Sequence, residues 1–435
     1  MTAPSYRVAA GGCVRGEVTI PGDKSVSHRS VLLGAIADGT TEVEGFLESE
    51  DCLATLAAMR AMGVEIERPA PGRVVIDGVG LGGLSAPAQA LDMGNAGTAL
   101  RLSMGLLAGQ AFGATLCGDA SLSRRPMERV AAPLRLMGAR IDTTDGRPPV
   151  RVHGGATLTA IDYDLTVPSA QVKSAILLAA LYAGGETSVT EHAVTRDHTE
   201  RMLRAFGVEV RGSAGRVSIQ GRQRLTGGFV RVPGDISSAA FFIVAATLAA
   251  EGGFLIRDVG VNPTRTGILD ILKLMGADIR VGNRRLFGDE PVADLEVHAS
   301  ALTGIEVPRA LVPLAIDEFP VLFVAAAAAN GTTVVRGAEE LRVKESDRIL
   351  VMANGLRALG VDAEPLPDGM RITGGPIGAG HVDSHGDHRI AMAFTVAALK
   401  ASAALEIRDV ANVATSFPDF PALARHAGIA VDELR

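Results

Sequence analysis

The chain has 435 residues, a formal net charge of −7 and three cysteines, with a sequence pI near 5.8. The acidic balance excludes nucleic acid as the expected partner, and no uncharged apolar run is long enough for a membrane helix. Cys13, Cys52 and Cys117 show neither disulfide-framework nor metal-ligand spacing, so a reducing, cytoplasmic setting is expected.

The length allows two or three domains, each able to bury a full core. The opening MTAPSYRVAAGGCVRGE lacks the apolar core of a signal peptide. After the string PGDKSVSHRS, which begins at Pro21, the pattern predicts a helix over 27–37. It is apolar almost all round and should be buried. A second helix over 51–62 stops at Gly63 in AMGVEI, where a glycine in the left-handed conformation ends the helix and a strand follows. The pair then returns five times. Helices are predicted over 96–108 and 128–137 (LMGARI), 170–183 and 198–206 (AFGVEV), and 237–250 and 265–275 (LMGADI). The last two pairs fall at 318–329 and 346–359 (ALGVDA), and at 389–400 and 421–427 (HAGIAV). Pieces between them, such as RVVIDGVG and GMRITGG, alternate as strands do. The unit recurs about every 70 residues, and the PGD string returns at Pro233 as PGDISSAAFF. The chain therefore reads as six copies of one α/β unit in two halves of three, with turns near 20–24 and 232–236 as the crossings. Duplicated halves place a cleft between them, a favoured ligand site.

The residues opening each buried helix carry the chemistry. They are Asp23–Ser25, Gly94–Thr98, Pro168–Gln171, Gly234–Ser238, Asp317–Glu318 and Gly386–Arg389. Capping alone accounts for Asp, Ser, Asn and Gly there, and it suffices for GDISS, which lacks a cation of its own. It does not account for Lys24, Arg29, Lys344, Arg348, His388 and Arg389 near such starts. A cation at a helix N-terminus opposes the dipole, whereas free N–H groups with added Lys and Arg suit a multiply anionic small ligand. Only five of the 42 basic residues are lysine, and Lys24, Lys173 and Lys344 fall in these polar motifs. Asp197 is expected to cap the helix after TRD, and Asp317 to hold a tuned carboxylate beside apolar surface. His385 and His388 flank Asp387, but no second ligand cluster accompanies them, so no metal or other cofactor is expected.

The strings GDKSVSHR, GNAGTALR, GDASLSRRPM, VPSAQVKSA, VPGDISSAA, LRVKESDRI, GDHRIAMAF and TSFPDF occur in this order over about residues 12–430. In order and spacing the chain resembles the enolpyruvyl transferases, most nearly the branch that acts on shikimate 3-phosphate. The resemblance implies an α/β (α+β) fold, a two-domain inside-out barrel of six repeats with buried helices surrounded by sheets. It implies one domain over 21–233 and a second made of 1–20 plus 234–435, with the active site in the cleft between them. The implied reaction moves the enolpyruvyl group of phosphoenolpyruvate to the 5-hydroxyl of shikimate 3-phosphate and releases phosphate, a step toward aromatic amino acids. Lys24, Gly97, Thr98, Arg125, Gln171, Arg348 and Arg389 would then meet phosphoenolpyruvate. Lys24, Ser25, Arg29, Ser169, Ala170, Gln171, Arg196, Asp317 and Lys344 would meet shikimate 3-phosphate. Asp317 would serve proton transfer at the 5-hydroxyl and Glu345 would protonate the methylene carbon, with Lys24 and His388 assisting. The partners implied are these two small molecules only, and a monomer is the default expectation.

Two departures stand out. Ala170 and Ser416 occupy places where many members carry serine and lysine, as in a subclass whose glyphosate-tolerant members have alanine in the GNAGT loop. Here that position is Gly97, so inhibition by glyphosate is expected. The UDP-N-acetylglucosamine branch uses a cysteine shortly before an Arg-Pro pair, and GDASLSR before Pro126 has none. A non-catalytic anion-binding protein would not need Asp317 and Glu345. The acidic pI argues against the RNA 3′-phosphate cyclases.

Overall fold

The computed structural model describes residues 4–213 and 215–434. The chain divides into two compact units. Among the described residues, one contains those within 22–233 together with the hairpin tip 286–290, and the other contains 4–21, 234–285 and 291–434. Each has its own hydrophobic core.

The unit around 22–233 holds six helices: α1 (Lys24–Ala35), α2 (Glu50–Ala61), α3 (Gly97–Ala108), α4 (Glu128–Leu136), α5 (Ala170–Ala180) and α6 (His198–Ala205). The other holds α7 (Ile236–Ala249), α8 (Gly267–Leu274), α9 (Phe319–Ala327), α10 (Arg348–Ala358), α11 (His388–Ala397) and α12 (Phe420–His426). The odd-numbered helices are the buried ones, as their all-round apolar pattern requires. In α7 every residue from Ile236 to Leu248 is inaccessible to solvent or nearly so.

The even-numbered helices all stop alike. Gly63, Gly138, Gly207, Gly276, Gly360 and Gly428 have φ between +80° and +100°, a region that costs glycine nothing. In α2 the Gly63 N–H donates to Arg60 C=O and the Val64 N–H to Met59 C=O, the paired bonds of a Schellman ending. The arginine in that last turn does a second job. Arg60 and Arg135 send Nε to the carbonyls of Ile66 and Ile141, and Arg425 sends Nη1 to Val431, which ties each helix to the strand that follows.

Among the described residues, six small sheets cover the buried helices, five of four strands and one of three. In each four-stranded sheet an edge strand pairs in parallel with the first strand after a buried helix, and the remaining pairings are antiparallel. In the unit around 22–233 the triplet closes on itself. Strand Phe229–Arg231, which precedes α7, lies beside strand Asp38–Glu44 of the first repeat. In the other unit, strand Glu17–Thr19 lies beside Gly253–Gly260, and Ser5–Val8 sits between Leu405–Arg408 and Val431–Leu434. The two PGD turns exchange bonds, Asp23 N–H to Pro233 C=O and Asp235 N–H to Pro21 C=O.

Two local expectations are corrected. α1 begins at Lys24 rather than at 27, because Asp23 accepts from Val26 N–H and caps a turn whose polar residues read as loop. Asp197 sits at the start of α6 without capping it, since its carboxylate pairs with Arg201 Nε at 2.9 Å. The cap expected of GDISS is present: Asp235 accepts from Ser237 N–H, and Arg265, from elsewhere in the sequence, places Nη2 2.7 Å from Ser237 Oγ and 3.4 Å from Asp235. Among the described residues no helix is long and apolar enough to cross a membrane.

Candidate active site

In the unit around 22–233, Lys24, Ser25 and Arg29 lie on the first two turns of α1. Lys24 Nζ pairs with Asp51 of α2 at 2.9 Å. Arg29 is almost wholly buried, yet its bonds in the structure are to neutral oxygens. Nε donates to Thr199 Oγ1 (2.6 Å), Nη2 to Ser174 Oγ (2.8 Å) and Nη1 to Ser25 C=O (3.0 Å). Burial pushes its pKa down to about 10, and the nearby Arg196 adds to the effect. A guanidinium in this state is a ready counter-charge for an incoming anion.

More of the same group gathers where α3 and α5 begin. Arg101 Nη1 donates to Gln171 Oε1 (2.6 Å), Gln171 Nε2 donates to Thr98 Oγ1 (2.8 Å), and Arg101 Nη2 donates to Pro126 C=O (3.0 Å). One arginine thereby joins Thr98, Gln171 and the Arg125 loop. Arg125 donates to Asn95 Oδ1 and, at 3.4 Å, to Ser121 Oγ. Gly97 opens α3 directly against it, and a Cβ there would stand 2.9 Å from Arg125 Nη1. Ser169 caps α5 by accepting from Val172 N–H, which leaves Ala170 as its first residue. Arg196 lies in the loop just before α6.

The other unit holds the second group. Arg348, 1% exposed, opens α10 and collects three carboxylates. Nε meets Asp387 at 2.8 Å, Nη2 meets Glu345 at 2.6 Å, and Nη1 meets Asp317 at 3.4 Å. Burial acts against its charge, but Asp387, Glu345 and Asp317 outweigh burial and drive its pKa up. Lys344 Nζ reaches the same Asp317 oxygen at 3.3 Å, and Arg389 Nη1 donates to the Asp317 backbone carbonyl at 3.0 Å. Asp387, fully buried, also caps α11 through Arg389 N–H and accepts from Ser346 Oγ. His388 is the buried first residue of α11. Ser416 is buried after the turn Ala411–Thr415, whose Asn412 donates to Gly386 C=O.

Asp317 and Glu318 face different partners. Asp317 faces Lys344 and Arg348, while Glu318 accepts from Ser237 and lies 3.7 Å from Arg265. Arg101, Asp51, Asp387 and Asn95 were not singled out by the sequence as site residues. Arg101 had a usable signal, since it stands one helical turn beyond Thr98 on α3. Asp51, Asn95 and Asp387 read as ordinary helix-start residues.

The chain is similar to known proteins over nearly its whole length. Residues 8–423 match the model of the EPSP synthase (3-phosphoshikimate 1-carboxyvinyltransferase) family. A 3-phosphoshikimate 1-carboxyvinyltransferase of Alkalilimnicola ehrlichii is 61% identical over 428 residues, covering 98% of this chain and 96% of the relative. One of Methylococcus capsulatus is 59% identical over 428 residues, covering 98% of each. Among solved structures, the EPSP synthase of Acinetobacter baumannii aligns with a TM-score of 0.89 and 54% identity, covering 99% of this chain and 100% of that one.

Proposed function

The chain belongs to the EPSP synthase family, and from that premise we propose how its two groups of residues carry out 3-phosphoshikimate 1-carboxyvinyl transfer. The enzyme joins the enolpyruvyl group of phosphoenolpyruvate to the 5-oxygen of shikimate 3-phosphate and releases phosphate. Both substrates carry a phosphate and a carboxylate, so the first requirement is cations. Lys24, Arg125, Arg348 and Arg389 take the phosphoenolpyruvate anions. Gly97 and Thr98 approach it with backbone and hydroxyl, and Gln171 reaches both ligands. Ser25, Arg29, Ser169, the Ala170 backbone, Arg196 and Lys344 take shikimate 3-phosphate. This reading takes one ligand pair to be served by both groups.

The chemistry has two stages. Glu345 protonates the methylene carbon of phosphoenolpyruvate, and positive character develops at the central carbon. The 5-oxygen attacks that carbon while Asp317 accepts its proton, giving a tetrahedral adduct that carries both the new C–O bond and the phosphate. Loss of a proton from the new methyl group and departure of phosphate then restore the double bond. Proton transfer by positioned groups of this kind contributes about 10²–10⁴ in rate, and the fixed cations stabilise the charged transition state. Lys24 and His388 assist proton movement. The observation that carries the reading is the placing of Lys344, Arg348 and Arg389 around Asp317. Lys344 and Arg348 meet the carboxylate and offset its charge, while Arg389 holds the backbone carbonyl of the same residue.

The experiment is phosphate release from phosphoenolpyruvate in the presence of a chelator, with shikimate 3-phosphate or UDP-N-acetylglucosamine as acceptor. Release with shikimate 3-phosphate alone is expected. Release only with the nucleotide sugar would overturn the acceptor assignment, and release with neither would favour a binding protein.

A further inference from the structure

The mechanism makes no use of the most deeply buried lysine in the chain. Lys173 is 1% exposed and lies on the first turn of α5, two residues after Gln171. Its ammonium bridges two glutamates from different elements. It meets both oxygens of Glu191, at the end of strand Glu186–Glu191, at 3.1 Å, and Oε1 of Glu200 on α6 at 2.8 Å. Burial acts against the ammonium, but Glu200 and Glu191 outweigh burial and raise its pKa. Glu191 Oε2 accepts in turn from both the backbone N–H (3.3 Å) and the Oγ1 (2.6 Å) of Thr195. Thr195 is the residue before Arg196.

The neighbours of the triad carry the other expected ligand. Ser174 follows Lys173 and Thr199 precedes Glu200, and their hydroxyls, 2.7 Å apart, both hold Arg29. Arg196 weakens the charged form of Arg29, and Glu200 and Asp23 act in the opposite sense. The bonds from Glu191 to Thr195 hold the backbone at the residue before Arg196.

We propose that Lys173 and Glu191 form a positioning device for shikimate 3-phosphate: the buried ammonium fixes Glu191, and Glu191 fixes Thr195 and so the approach of Arg196. This rests on the reading that Arg196 binds shikimate 3-phosphate. Neither Lys173 nor Glu191 touches the substrate. They act through Thr195, and the device selects for the acceptor rather than for phosphoenolpyruvate.

Replacing Lys173 by methionine would leave two buried carboxylates facing each other and risks unfolding, so the test is Thr195→Val. This keeps the ion triad and the side-chain shape and removes only the hydroxyl bond to Glu191. The expected result is a KM for shikimate 3-phosphate raised about tenfold, the scale of one bond to a charged group. The KM for phosphoenolpyruvate, kcat and the melting temperature should stay close to wild type, and Thr195→Ser should recover the acceptor KM. An unchanged acceptor KM, or equal rises for both substrates, would overturn the proposal. If the wild-type protein releases no phosphate with shikimate 3-phosphate, it is the functional reading that fails. If wild type turns over and Thr195→Val shows no split, the fault lies with the positioning device alone.

Discussion

Arg101 and Gln171 form a bond that decides which way an amide faces. Arg101 Nη1 has no acceptor capacity, so the Gln171 atom 2.6 Å away is the oxygen and the amide nitrogen points to Thr98 Oγ1 at 2.8 Å. The Thr98 hydroxyl, having accepted one bond, keeps its own proton to donate elsewhere.

Gln171→Glu tests that orientation. The carboxylate keeps and strengthens the Arg101 bond, loses the donor to Thr98 and adds a negative charge beside two anionic ligands. We expect kcat/KM to fall about 100-fold, the scale of a lost donor plus an uncompensated charge, with thermal stability unchanged or raised. Steady-state kinetics beside a melting curve separates the two effects, and a fall in kcat/KM below tenfold would count against the assignment of Gln171.

Gly97→Ala probes the space between α3 and Arg125. The added methyl would stand 2.9 Å from Arg125 Nη1, and a guanidinium end can move aside where backbone could not. The fold should therefore tolerate the change while Arg125 is displaced. Wild type should be inhibited by glyphosate, and the variant should show weaker inhibition with a raised KM for phosphoenolpyruvate. Full wild-type activity at millimolar glyphosate would refute this.

His28 gives the protein an acid sensitivity of known sign. It is buried on α1, with Nδ1 2.7 Å from Thr55 Oγ1. Burial, then Lys24 and Arg29, hold its pKa well below the ordinary 6.5. The unfolded chain therefore binds a proton that the folded chain refuses as the pH falls below 6.5. His28's contribution is complete above that pH and is lost below it, at up to about 1.4 kcal/mol per pH unit. Urea titrations across pH 7.5 to 5 (values chosen to bracket an ordinary histidine, to within about half a unit) should show that slope in wild type. His28→Asn, which retains a partner for Thr55, should have a shallower one; equal slopes would assign the acid sensitivity elsewhere.

Arg348→Met would leave Asp387, Glu345 and Asp317 without the guanidinium they share. Breaking a buried pair by removing one partner costs about 3–5 kcal/mol, and we expect a loss of stability on that scale together with loss of turnover. Adding phosphate or substrate should not restore stability. Chemical denaturation of the two proteins measures the difference directly, and a change of less than about 1 kcal/mol, the value of an exposed pair, would show that the cluster relaxes.

The local part of this architecture was legible. Each Schellman glycine closes a short helical run, and its conformation depends on the few residues around it. The buried helices announce themselves by apolar residues on every face, and the α/β character followed from both. The start of α1 was misread because Lys24 and Ser25 are polar, and it is the bonds from Val26 N–H to the Asp23 carboxylate and from Ser27 N–H to Asp23 C=O that show the helix has already begun. The expected cations were visible as residue types near helix starts, but their partners were not. Asp51 meets Lys24, Arg265 meets Asp235 and Asp387 meets Arg348 across long stretches of sequence. No periodicity encodes such pairings, because they depend on how repeats stack. The Lys173 triad hid for the same reason: Glu191 and Glu200 lie in the next segments of the chain, where each reads as a solvent-facing charge.

Strand Ser5–Val8 lies between Leu405–Arg408 and Val431–Leu434, which sets the order in which a growing chain can finish folding. At about 5–20 residues per second on the ribosome, this strand waits roughly 20 s or longer with neither neighbour yet synthesised. The sheet closed by Phe229–Arg231 can be complete at mid-translation. For the N-terminal segment, birth order and assembly order run in opposite directions, and its open edge is where a nascent chain of this protein is most exposed to mispairing.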